Sequence, residues 1–165
     1  MERILDLPAH PLMIHFPAVA IPLLGLMALA LVAVPRLRSQ WRLVIIALSI
    51  AVVVTTFLAA SSGQALADAI SFGPEYLERI DNHKTLGETL RFFVLGMGIT
   101  TVLLATVGSP DRDTPISGPP AMVLNVLVVA FAILSVVWAF RTGHEGARIH
   151  WEGILPEDAS AQVVN

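Results

Sequence analysis

The stretch LMIHFPAVAIPLLGLMALALVAV, residues 12–34, decides how the rest of the chain is read. Its 23 residues carry no formal charge other than any on His15. At about 1.5 Å per residue they make roughly 34 Å of helix, enough to cross the hydrocarbon core of a bilayer. The run predicts a membrane helix. Composition agrees: of 165 residues 55% are hydrophobic and only 14% charged, with a mean hydropathy of +0.74. That balance belongs to integral membrane proteins rather than soluble domains. The leader Met1–Ala9 sets Glu2 and Asp6 against a lone Arg3, unlike the basic start of a cleavable signal, so the first run is expected to stay in the mature protein.

Working outward, three further apolar runs follow at 43–60, 86–107 and 121–140. The reading is a single all-α domain over 1–165, an integral membrane four-helix bundle with a polar tail over 145–165. Pro11 suits a first helical position, which leaves His10 extended just outside the helix. Pro17 and Pro22 should each bend the first span, and a neighbouring helix should cover the carbonyls they free, so the His15 end is expected to be kinked and packed. Between spans two and three, 66–70 and 74–80 read as short interfacial helices. Thr85-Leu86-Gly87-Glu88 has the capping-box pattern that opens a helix, and Gly143 suits a C-cap. Trp41, Trp138 and Trp151 suit the bilayer interfaces, and Asn125 suits a polar contact between helices.

Arg36, Arg38 and Arg42 crowd one short loop, which the positive-inside rule puts in the cytoplasm. With four spans, both termini then face outward. The protein is expected in a bacterial cytoplasmic membrane. A net charge of −3 with no larger basic cluster argues against nucleic acid as a partner. The absence of cysteine excludes disulfides, thiolate metal sites, iron–sulfur clusters and covalent haem attachment.

Parity of the spans yields the functional reading. His10 and His15 open span one, His83 precedes span three, and His144 and His150 follow span four, so all five histidines fall on one side of the membrane. Ionisable groups entering a membrane segment are costly and mark function. Imidazole is the commonest metal ligand and an axial ligand of b-type haem. His15, His83 and His144 approach from three spans, as a shared site in a bundle requires. His10 is a further ligand candidate, or a substitute N-cap. Plainer roles exist for each: His83 and His144 sit where a histidine caps a helix or meets water, and His150 lies in the polar tail. Arg91 pairs with Glu88 at i, i+3 or meets an anionic group such as a haem propionate. Arg141 has the same two roles open to it, a propionate contact or snorkelling to the interface. No nucleophile–base pair, phosphate loop or paired-carboxylate pattern stands out, so an electron-transfer or binding role is expected ahead of an enzyme with its own substrate.

The motif His10-Pro11-x-x-x-His15-Phe16-Pro17, with Ser62-Gly63, His83 and Gly143-His144-x-Gly146, resembles a bacterial four-span membrane family of unknown function with an HPxxxHFP opening. The likeness covers about residues 8–153. The family's last motif usually carries a final His that has no counterpart here, His150 being displaced. Relatives are joined to Rieske or cytochrome c-type domains, which implies membrane redox work with a membrane or periplasmic partner and makes b-type haem the expected cofactor. In that reading His15 with His83 or His144 supplies the axial ligands, and His10 serves a second site or supports the ligands from behind. The alternatives are a zinc or copper site on His10, His15, His83 and His144, with Asp81 or Glu145 as added ligands, and a non-catalytic membrane subunit or anchor. Homo-oligomerisation is compatible with either.

Overall fold

The computed structural model describes residues 3–4, 7–69 and 73–151. After a two-residue antiparallel ladder of β1 (Arg3–Ile4) with β2 (Leu7–Pro8), the chain is helical: α1 (Ala9–Met13), α2 (His15–Ala33), α3 (Leu37–Gln40), α4 (Arg42–Ala69), α5 (Pro74–Val107) and α6 (Gly118–Trp151). Four helical stretches are long and apolar enough to cross a membrane: Ala9–Ala33, Arg42–Ala69, Leu77–Val107 and Gly118–Trp151. They pack in a ring in which α2 and α5 each lie between α4 and α6. Each chain neighbour is thus also a spatial neighbour, as short loops demand.

The core is a column of fully buried aliphatic groups, among them Leu24, Leu31, Ile45, Val52, Val94, Leu104 and Val128. The outside is equally apolar: Val19, Leu26, Leu43, Met122 and Phe140 stand 67–79% exposed. In water such a surface would drive association; in lipid it is the expected solvent face. Since lipid tails are as apolar as leucine, close backbone approach holds the helices together. A Cβ on Gly25 would stand 3.1 Å from Val136, and one on Gly96 would overlap the Phe131 ring.

The helices overrun the apolar runs that announce them. Span two ends at Ala69 rather than residue 60, so Leu66–Ala69 is its last turn instead of a separate interfacial helix, and Ile70 lies outside the described residues. Pro74–Ile80 opens α5, with Gly73 as N-cap and Pro74 at the first position, eleven residues before the Thr85–Glu88 motif. Gly143 lies inside α6, which runs on to Trp151. Hydropathy marks where lipid begins, whereas a helix ends where its hydrogen bonds do, and a polar sequence continues a helix into water. The expected tail is therefore helical to Trp151; residues 152–165 lie outside the described residues.

Two expectations about the first span need correction. His10 is helical, not extended: α1 starts at Ala9, so Pro11 falls in a first turn whose N–H groups have no helical acceptor anyway. The helix runs through Ile14, which keeps helical dihedrals (φ −73°, ψ −21°) and the bonds from Ile14 N–H to His10 O and from Ala18 N–H to Ile14 O; Pro17 removes only the donor to the Met13 carbonyl. Pro17 itself is buried, but His15 is not carried inward with it. His15 is exposed, with Ile14 at 42% and Phe16 at 46%.

At the other end of the bundle, Arg38 of α3 turns inward and is only 8% exposed. Its Nε donates to the Leu31 carbonyl (2.9 Å), Nη1 to the Gly108 carbonyl (3.1 Å) and Nη2 to Asn125 Oδ1 (3.3 Å). One guanidinium thereby satisfies carbonyls at the C-terminal ends of α2 and α5 and ties both to α6. Burial pulls its pKa below the ordinary arginine value. Nearby, Arg42 meets Asp111 at 3.4 Å across the exposed α5–α6 loop.

Candidate functional site

The polar centre of the molecule lies at the α1 end of the bundle, and all four spans contribute to it. α1 packs against α4, which brings His10 over Ala59, Ser62 and Gly63. His10 Nδ1 lies 2.9 Å from the Ala59 carbonyl and 3.4 Å from Ser62 Oγ. The Ser62 hydroxyl donates its own proton to Ala59 O at 2.8 Å, so it too accepts from the ring. A carbonyl only accepts, so this network assigns the proton to Nδ1 and leaves Nε2 to bind something else. A backbone acceptor fixing one nitrogen while the other stays free is the arrangement found around metal-ligating histidines.

Gly63 is what lets the ring sit there. A Cβ at that position would lie 2.8 Å from His10 Cε1, closer than carbon atoms approach. Gly146 of α6 does the same for His83, whose Cε1 would stand 3.0 Å from an added Cβ. The two imidazoles meet edge to face, ring centroids 6.2 Å apart and planes at 80°. In an edge-to-face pair the ring that presents its face directs its lone pairs away from its neighbour, so ligation of one ion by both rings requires that ring to rotate.

His83 Nδ1 is buried and has no hydrogen-bond partner among the described residues. Such a group costs free energy unless something occupies it. The Thr142 backbone carbonyl faces the same ring, and Glu145 lies three residues further along α6. Glu145 is 8% exposed, and its Oε2 stands 3.8 Å from Arg148 Nη1, one turn along α6.

The other histidines stay out. His15 is exposed at the start of α2, and exposed His144 stacks on Phe140, centroids 6.1 Å apart and planes at 12°. His150 lies edge-on to Trp151 at 5.0 Å. The expected grouping of His15 with His83 or His144 is therefore replaced by His10 with His83. Sequence parity put every imidazole at one end of the bundle, but it could not say which face of each helix a neighbour covers. Arg91 sits 3.7 Å from Glu88 and 5.6 Å over the Phe57 ring, and Arg141 stands 5.0 Å over Trp138. Asp81 is exposed.

From sequence, Ser62, Gly63 and Gly146 stand out only through their motifs, and Glu145 as an added metal ligand. The signal was present in the Ser62-Gly63 and Gly143-His144-x-Gly146 pairs, small residues where a ring needs a backbone close by. Among the described residues no three of His, Asp and Glu come together as a metal-binding group. No protein-family model, curated protein or solved structure matches the chain.

Proposed function

We propose that this is a membrane protein holding a cofactor between His10 and His83, with b-type haem the cofactor and one-electron transfer the work. The observation that carries the reading is the imidazole pair itself, 6.2 Å apart and drawn from two different spans. Its open nitrogens support the role: His10 Nε2 is left free by the Ala59 bond, and His83 Nδ1 is buried without a partner. Two imidazoles are the ligand set of a bis-histidine haem, whereas zinc takes three or four protein ligands. With no cysteine, such a haem is held by these ligands and by packing alone. When bound, the haem supplies reversible one-electron chemistry; the chain fixes the ligand tautomer through Ala59 and Ser62 and clears space through Gly63 and Gly146. The setting is a bacterial cytoplasmic membrane, the histidines on its outer side, with a membrane or periplasmic redox protein as partner.

The experiment is a visible spectrum of protein purified from haem-replete cells. A Soret band is expected in the wild type and in His15→Ala and His144→Ala, and its loss in His10→Ala and His83→Ala. A colourless wild type, or a band that survives in the His10→Ala/His83→Ala double variant, overturns the proposal.

A divalent metal is the second reading, favoured by the two imidazoles alone, with water completing a zinc or copper site. Metal analysis of the colourless protein separates it from haem.

A further inference from the structure

A shallow groove of about 370 Å³ runs between the last turn of α2 and the first turns of α6, lined by Val32, Asn125, Val126, Val129 and Ala130. It opens on the flank of the bundle, where Val126 is 57% exposed and Ala130 is exposed as well. Walls of this kind take a hydrocarbon chain.

The groove lies at the cationic end of the molecule. The segments joining spans there carry Arg36, Arg38, Arg42 and Arg112 against Asp111 and Asp113. Arg42 is engaged by Asp111. Arg38 spends its three hydrogen bonds on neutral oxygens and pairs with no carboxylate among the described residues. Arg36 is exposed in the turn that follows α2, four residues beyond Val32. The start of α6 adds the positive end of a helix dipole.

We propose that this groove seats one anionic phospholipid, its acyl chain along Val32, Val126, Val129 and Ala130 and its phosphate in the field of Arg36 and Arg38. An apolar channel beneath an under-neutralised basic rim is the complement of that lipid class; a zwitterionic lipid offers the same chain without the net charge. The lipid covers the α2–α6 seam, and this role stands whether or not the imidazole pair holds a cofactor.

Native mass spectrometry of the full chain tests it, in detergent with equal phosphatidylglycerol and phosphatidylcholine of identical acyl chains. The wild type is expected to retain one phosphatidylglycerol in preference to phosphatidylcholine by about fivefold or more. Ala130→Trp and Val126→Trp fill the groove from exposed positions and lose the adduct, while Arg36→Gln brings the two lipids toward parity. Equal retention of both lipids by the wild type overturns the proposal. So does an undiminished adduct in the tryptophan variants, or an unchanged preference in Arg36→Gln.

Discussion

His10 Nδ1 reaches the Ala59 carbonyl at 2.9 Å, a bond from the short first helix to the middle of the second span's final turns. It docks α1 on the bundle and fixes which imidazole nitrogen is free. The glycine beside it turns this contact into a test. Gly63→Ala and Gly146→Ala each place a Cβ within 3.0 Å of a ring, and such overpacking costs about 1–3 kcal/mol. Both variants are expected to shift or lose the cofactor spectrum while remaining helical by circular dichroism. Gly143→Ala meets nothing within 4 Å; helix propensity then raises stability by about 0.5–1 kcal/mol, with the spectrum unchanged.

Arg38 is the fastening at the other end. Arg38→Ala strands the Leu31 and Gly108 carbonyls and Asn125 Oδ1 together. A loss of about 2–4 kcal/mol is expected, from unsatisfied groups rather than from a lost charge. Arg38→Lys recovers only part, because an ammonium cannot reach three acceptors in a planar fork. Unfolding in detergent reads both, and a wild-type stability for Arg38→Ala would remove the clamp from the account.

Helix contact through Gly96 predicts a compensating pair. Gly96→Ala drives a methyl into the Phe131 ring and should destabilise by about 1–3 kcal/mol. Phe131→Leu in the same chain should return much of that loss. The two are in contact, so their effects should couple in a double-mutant cycle.

Asp111 predicts a dependence on pH. The Ser109 hydroxyl chiefly, with Arg42 and Arg112 after it, holds its carboxyl below the usual carboxylate range. A pKa depressed in the folded state contributes stability above the unfolded value of about 3.9 and loses it as pH falls through the folded one. Between pH 6 and pH 3 the wild type should therefore lose more in Tm than Asp111→Asn. The difference is small, because the pair is exposed and solvent-screened.

Much of this protein was legible in one dimension. Runs such as 12–34 and 43–60 name the membrane helices because lipid demands apolar side chains outside as well as inside, which needs no knowledge of partners. Connectivity through four spans sends every histidine to one end of the bundle, and that too is a matter of counting crossings.

Three dimensions decided which imidazoles meet. His15 and His10 sit close in sequence, yet five residues along a helix turn them about 140° apart, which leaves one exposed and puts the other against Ala59 and His83. Arg38 read as one of three interchangeable loop cations and proved to be buried, since only packing reveals which carbonyls lack a donor. Sequence fixes how far along the membrane normal a residue lies, because rise per residue is constant. Its azimuth, and hence its neighbours, depends on kinks and on how neighbouring helices turn against one another, and those are set by contacts between distant parts of the chain.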